Sequence, residues 1–252
     1  MNSQALLAHL AIVLVRPKIP ENIGAAARIS CNMGINRLIV VRDEMPDRET
    51  MAKMATHKAA HLIDNLELYQ DLGEALADFT LVVGTTARKG RQRSVETSPR
   101  ELVEILLPSL TTNRVAILFG PEDTGLTNDD LKYCQLASAI PTADFSSLNL
   151  AQAVAIHCYE FYHGIVHGRK NMAVMPQLAT SHELHSMYGF IEEALYSIDF
   201  LNEVSNDYWM TNIRRFFSRM KITSKDANIV RTVCKKLLLY EQTRKSKDPG
   251  AP

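Results

Sequence analysis

Residues Val115 to Thr127 read VAILFGPEDTGLT. The apolar run Val115–Phe119 reads as a short buried strand. Gly120 and Gly125 follow with four residues between them, then Leu126 and Thr127. That spacing resembles the phosphate loop G-x-x-x-x-G-K-[ST], in which the lysine reaches the phosphates. Here Leu126 stands in the lysine's place. Glu122 and Asp123 add two negative charges where a triphosphate would be repelled. The loop has the glycines of a close-approach turn at a strand end without the chemistry of a phosphate clamp.

The chain on either side repeats the alternation of strand and helix. Strands are expected at Ala11–Val15, Arg37–Arg42, Thr80–Thr85 and Ala137–Pro141. Asn22 can cap a helix that runs through GAAARIS and stops at Gly34 as a C′ glycine. Further helices are expected over Glu49–His61, Asp71–Ala77 and Ser147–Val166, with a short one capped by Thr127. Ser98-Pro99-Arg100-Glu101 is a capping box with proline at the first helical position, so a helix opens there and runs to about Leu110. Alternating elements of this kind predict an α/β fold with a mostly parallel sheet, helices on both faces and ligands at the carboxyl ends of strands.

After His167 only helical patterns remain. Residues 168–181 read as a linker, dividing an α/β domain at 1–167 from a small all-α C-terminal domain at 182–252. Its helices are expected near His182–Val204, Asp207–Met220 and Ser224–Glu241. Ile213, Phe216, Phe217 and Met220 form an apolar stripe, as do Ile229, Val233 and Leu237. Both stripes are expected to be core, and the single Trp209 and the phenylalanines of the tail are read as core in preference to base-stacking platforms.

The 252 residues are 46% hydrophobic and 22% charged, an ordinary soluble composition. No apolar run approaches the roughly 18 residues of a membrane span. The N-terminus lacks a basic region of the kind that opens a signal peptide. Cys31, Cys134, Cys158 and Cys234 are scattered, which suits reduced thiols in a cytoplasmic protein. His57 and His61 share a helix face, but HKAAH lacks the glutamate of H-E-x-x-H, so no metal is expected.

Formal net charge is zero, yet its distribution is uneven. Between Met210 and Lys247 there are 11 Lys+Arg and 2 Asp+Glu, a local charge of 11 − 2 = +9. A second basic patch, RKGRQR, spans Arg88–Arg93. A polyanion-binding face on a balanced protein is the expectation, against the alternative of solvated helix surface.

Three strand ends carry the loops fit for chemistry: GTTARKGRQR from Gly84, GPEDTGLT from Gly120 and PTADFSSLNLAQA from Pro141. They offer backbone polar groups, the hydroxyls of Thr85, Thr86, Ser146 and Ser147, and the amide of Asn149. Positive charge is scarce beside the glycines. A polar, partly apolar ligand with a cationic centre fits better than a triphosphate, and S-adenosylmethionine is such a ligand. No G-x-G-x-x-G follows any expected strand, which leaves a dinucleotide site without support.

Three segments carry a specific resemblance: PENIGAAAR (Pro20–Arg28), ILFGPEDTGLT (Ile117–Thr127) and SSLNLAQAVAI (Ser146–Ile156). In order and spacing they resemble the motifs of SPOUT-class RNA ribose 2′-O-methyltransferases of the TrmH/TrmJ type, over roughly Ala11–Tyr162. A weaker resemblance at IRRFF (Ile213–Phe217) favours the TrmJ branch, which methylates tRNA. The resemblance implies a parallel-sheet SPOUT fold with a C-terminal deep trefoil knot, a rare exception to ordinary connection rules. It implies a homodimer with the active site at the subunit interface. It also implies methyl transfer to a ribose 2′-hydroxyl of cytidine or uridine at the 5′ end of the anticodon loop.

Carried over by motif, Thr85, Thr86, Ala87, Gly120, Ile140, Ser146, Ser147 and Leu148 are expected to line the S-adenosylmethionine pocket. Asn22, Arg28, Glu122 and Asn149 are expected to form the reaction centre. A guanidinium with a pKa above about 12 keeps its proton. Arg28 is therefore read as a group that holds a phosphate and stabilises alkoxide charge, not as a base. Arg88, Lys89, Arg91, Arg93, Arg214, Arg215 and Arg219 are expected to contact RNA. Two alternatives stay open: a ribosomal RNA methyltransferase, and a catalytically silent RNA-binding member of the fold.

Overall fold

The computed structural model describes residues 2–87, 96–144, 147–168 and 174–247. The chain divides into two compact units, Met1–Pro176 and Gln177–Pro252.

In the first unit seven strands form one sheet. They are β1 (Leu10–Val15), β2 (Leu38–Val41), β3 (Glu67–Tyr69), β4 (Leu81–Thr85), β5 (Glu96–Thr97), β6 (Val115–Phe119) and β7 (Leu136–Ser138), in the order β3-β2-β1-β6-β4-β7-β5. Every recorded pairing is parallel. Side chains alternate across a strand, so each central strand feeds two cores. Leu10, Ile12 and Leu14 of β1, with Val115, Ile117 and Phe119 of β6, face one core. Ala11, Val13 and Val15, with Ala116 and Leu118, face the other.

The first core is covered by the long helices α2 (Pro20–Asn32), α3 (Arg48–Asp64), α5 (Pro99–Leu106) and α7 (Leu150–His167), with the short N-terminal α1 (Ser3–Leu7). The second is covered by α4 (Leu72–Ala75) and by Leu126 and Leu131 around α6 (Asn128–Leu131). Strands β3 and β5 and helix α1 have no counterpart in the sequence reading. At two to five residues they are too short to show a period.

Several helix ends follow their chemistry. Ser98 and Glu101 close the expected capping box of α5, and Thr127 caps α6 in a box with Asp130. Gly34 follows α2 at φ +70°, as a C′ glycine does. The helix expected to reach Leu110 stops at Leu106, just before Pro108. Asn22 does not cap α2. Ile19 holds that position, Pro20 is the first helical residue, and Asn22 is buried inside the first turn. Proline needs no N–H at the first position, which starts the helix three residues early and frees the Asn22 amide.

The second unit contains α8 (Ser181–Ser197), α9 (Asn206–Ser218) and α10 (Ser224–Lys247). Thr180 caps α8 in a box with Glu183. Met187, Tyr188, Ile191, Met210 and Ala227 make its core. The two apolar stripes are only partly core. Ile213 and Phe217 pack inward, whereas Phe216, Met220, Ile229 and Val233 are exposed, and so is Trp209. Three helices cannot surround every apolar residue of two stripes. Among the described residues no helix is long and apolar enough to cross a membrane.

Helix α2 lies close on α3 because its facing residues are small. A Cβ added at Gly24 would fall on the Met51 carbonyl oxygen, a backbone atom that cannot move aside. Gly24→Ala should therefore part the two helices and cost about 1–3 kcal/mol. Chemical denaturation would read this as a lower midpoint, and an unchanged midpoint would refute the close packing.

Candidate active site

The loops after β4, β6 and β7 leave the same edge of the sheet, and these strands are neighbours. Between the loops lies a cavity of about 300 Å³. Thr85, Thr86 and Ala87 line it from the first loop, Gly120 from the second, and Ile140, Ser147 and Leu148 from the third. Seven of the eight residues expected to hold the cofactor thus share one cavity. The eighth, Ser146, lies outside the described residues, as do Arg88, Lys89, Arg91 and Arg93.

Backbone contacts fix the walls. Thr85 Oγ1 donates to the Leu118 carbonyl at 2.8 Å, and the Thr86 N–H donates to Ser138 O at 2.9 Å. Gly120 must be glycine, because a Cβ there would fall on the Gly125–Leu126 peptide. Gly125 adopts φ +64°, the left-handed region that glycine enters without penalty. The glycine pair therefore folds the loop on itself and brings its backbone up to the cavity.

Helix α7 supplies three wall residues that the sequence reading missed, Leu150, Ala153 and His157. They fall at i, i+3 and i+7, a helical spacing that could have shown them. His157 is buried and lies edge-on to Phe119, with ring centroids 5.4 Å apart. Burial pushes its pKa down to about 4, so the ring is neutral at pH 7. Its Nδ1 is 2.9 Å from Ala153 O and donates there, which leaves Nε2 facing Ser138 Oγ at 3.1 Å. Among the described residues that line the cavity, none is a lysine or an arginine.

Beside the cavity, three of the four residues expected at the reaction centre are joined. Asn149 caps α7, its Oδ1 accepting from the Ala151 N–H at 2.9 Å. Its Nδ2 donates to Asn22 Oδ1 at 3.0 Å. Asn22 Nδ2 then donates to Glu122 Oε1 at 2.8 Å. The orientation of both amides is forced from the two ends. The helix terminus demands an acceptor, and the carboxylate accepts only. Turning either amide would set donor against donor.

Glu122 also accepts from the backbone N–H groups of Lys18 and Ile19, at 2.9 and 3.3 Å. Burial acts to raise its pKa, but the bonds from Asn22 and from these N–H groups together outweigh it and hold the carboxyl below its usual value. The β1–α2 loop is tied down a second time by Arg16, whose Nη2 meets the buried Asp130 carboxylate at 2.5 Å. Arg16 takes φ +50°, a strained conformation for a residue with a side chain.

Arg28 stands apart from this set. It lies on the exposed side of α2 with Glu21 and Asn32, six residues beyond Asn22 and off that residue's face. Within one subunit it does not join the other three.

Glu122→Gln tests the carboxylate directly. The variant must present an N–H to one of its donors, and a loss of about 1 kcal/mol is expected at neutral pH. A carboxyl whose folded pKa is lowered adds stability above its ordinary value near 4.5, and that stability is lost as pH falls through the folded pKa. The gap between wild type and variant should hold above pH 4.5 and close below it. A gap that ignores pH would contradict the assignment.

Comparison with known proteins places these residues in a family. Residues 9–159 match the model of the SpoU rRNA methylase family, and residues 182–248 match that of the C-terminal domain of the tRNA methyltransferase TrmJ. The tRNA (cytidine/uridine/adenosine-2′-O-)-methyltransferase TrmJ of Pseudomonas aeruginosa is 33% identical over 241 residues, covering 90% of this chain and 93% of that protein. LasT of Escherichia coli, described as an uncharacterised tRNA/rRNA methyltransferase, is 38% identical over 154 residues, covering 60% of this chain and 67% of LasT. The crystal structure of TrmJ from Z. mobilis ZM4 superimposes with a TM-score of 0.77 at 30% identity, covering 90% of this chain and 98% of that one. With its three motifs gathered at one sheet edge and this similarity along its length, the chain belongs to the SpoU methylase family and carries a TrmJ-type C-terminal domain.

Proposed function

We propose that this protein is an S-adenosylmethionine-dependent tRNA methyltransferase that methylates a ribose 2′-hydroxyl, on cytidine or uridine at the 5′ end of the anticodon loop. The observation that carries the reading is the Asn149–Asn22–Glu122 relay beside a cavity walled by the three motif loops. Similarity over nine-tenths of the chain to a TrmJ enzyme supports tRNA as the substrate. We read the reaction as cytoplasmic, in keeping with such a substrate.

The cavity suits the cofactor. Its walls mix backbone groups, hydroxyls and aliphatic side chains, include the acids Glu122 and Asp123, and hold a histidine kept neutral by burial. Among the described wall residues a sulfonium meets no fixed cation. Thr85, Thr86, Ala87, Gly120, Ile140, Ser147 and Leu148, with Ser146, would hold the nucleoside and amino-acid portions. The bound cofactor supplies an electrophilic methyl group on a sulfonium centre. The loops are read as part of the deep trefoil knot of SPOUT enzymes, with Gly120–Thr127 as one knot loop.

The chain's own task is then placement. Asn22 and Asn149 each keep one amide N–H outside the relay, and these can hold ribose oxygens against the cavity mouth. The ionised Glu122 fixes the direction of both amides. Arg28 serves from a second subunit in a homodimer, a reading supported by its exposed position away from its own relay. There its guanidinium holds a phosphate next to the target ribose and stabilises charge developing on the 2′-oxygen. We assign catalysis to residues 1–167 and tRNA binding to residues 182–252, joined by 168–181. The RNA contacts would come from Arg88, Lys89, Arg91, Arg93, Arg214, Arg215 and Arg219.

Ribosomal RNA is the second reading, favoured by the family's description and by the tRNA/rRNA designation of LasT. Labelled methyl transfer to unmodified tRNA and to ribosomal RNA separates the two, with modified nucleosides identified after digestion. Wild type should yield 2′-O-methylpyrimidine in tRNA. Arg28→Ala should bind cofactor normally and transfer methyl at least about a hundredfold more slowly. Cofactor binding without tRNA labelling would sink the tRNA reading.

A further inference from the structure

The outer face of α9 has a composition that folding does not explain. Met210, Ile213 and Phe217 supply the helix's inward contacts. On the other side Tyr208 is 66% exposed, Phe216 52% and Trp209 39%. The rings fall into two contacting groups, Tyr208 and Trp209 with Phe200, and Phe216 with Phe217. Trp209 lies 5.4 Å from Tyr208 and 5.0 Å from Phe200, and Phe216 lies 5.3 Å from Phe217.

Helical spacing places Tyr208, Asn212, Arg215 and Arg219 at i, i+4, i+7 and i+11, one outward stripe with Trp209 and Phe216 along its flank. From Asn206 to Lys221 the cations are Arg214, Arg215, Arg219 and Lys221, and the only acid is Asp207. Arg214 is turned onto the Tyr188 ring at 4.4 Å. Arg219 Nε donates to the Arg215 carbonyl at 3.2 Å, which uses one of its five N–H donors.

Exposed aromatic rings set among arginines are the chemistry that holds single-stranded nucleic acid. Rings stack on unpaired bases and guanidinium groups meet the backbone. A duplex hides its base faces and gains only the charge. We infer that the outer face of α9 is a stacking platform for unpaired nucleotides of the RNA substrate, with Tyr208, Trp209 and Phe216 as the rings and Arg215 and Arg219 as the counter-charge. The inference rests on the proposed RNA-methylating function and adds what kind of RNA the second unit takes. From Tyr208 to Phe216 the helix advances about 12 Å, the length of roughly three stacked bases. A neutral protein partner would gain nothing from the surplus of cations, which is why RNA is the occupant argued here.

Trp209 is the only tryptophan of the chain and reports on this face. The full-length protein would be titrated with an unpaired oligoribonucleotide and with a blunt RNA duplex, following its emission, with methyl transfer to tRNA measured in parallel. Unpaired RNA should change the emission saturably. Tyr208→Ala and Phe216→Ala should each weaken unpaired-RNA binding roughly tenfold and leave duplex binding unchanged. Tyr208→Phe, which keeps the ring, should bind as wild type. Arg215→Ala with Arg219→Ala should weaken both RNAs and flatten the salt dependence. Equal losses on both RNAs for the aromatic variants, or no change in emission or affinity, would overturn the inference. If tRNA is methylated and Tyr208→Ala makes no difference to binding, the platform fails while the proposed function stands. If the platform behaves as described and no RNA is methylated, the proposed function fails and the platform stands.

Discussion

The Glu122 carboxylate is the point on which the site depends. It accepts hydrogen bonds from Asn22 and from the backbone of Lys18 and Ile19, and through Asn22 it reaches Asn149 at the start of α7. Three segments remote in sequence are thereby held by one charge: the β1–α2 loop, the loop after β6 and the N-terminus of α7. Because the carboxylate can only accept and the helix terminus can only donate, the two amides between them have one allowed orientation. Polarity, in addition to packing, fixes the geometry beside the cavity.

The surrounding sheet makes this economical. β6, β4 and β7 are neighbours and all parallel, so the loops that follow them crowd one edge without any long excursion. Gly120 and Gly125 let the second loop fold back on itself, and small residues in α2 let that helix sit against α3 with Asn22 facing inward. In the proposed reaction the chain contributes placement: walls that carry the carboxylates Glu122 and Asp123 for a cationic cofactor, directed amides for a ribose and, from a second subunit, a guanidinium for the phosphate.

Much of this was legible in the sequence because it is local. The apolar runs at Ala11 and Val115 gave the central strands, and the Ser98-x-x-Glu101 box marked a helix start that the structure reproduces. Seven expected cavity residues line one cavity because each lies at the end of a strand, within two residues after one, or within three residues before a helix. What stayed hidden depends on long-range packing or on very short elements. β3 and β5 are too brief to show a period. Asn22 looked like a cap, although Pro20 is itself a local start signal, and nothing local reveals that Glu122, a hundred residues away, receives the amide. His157 shares its helix face with Ala153, but its neutral state follows from burial. The stripe through Phe216 and Met220 has core spacing, yet a three-helix unit leaves these residues outside.

The direct test of the central claim is the methyl-transfer rate of Asn149→Asp at neutral pH, with cofactor affinity measured alongside. Aspartate has nearly the same shape and caps a helix as well as asparagine, so fold and cap should survive. It cannot donate to Asn22, and the relay would lose its direction. The account predicts a rate lower by about tenfold or more, with cofactor affinity little changed. A variant that transfers methyl at the wild-type rate would contradict it.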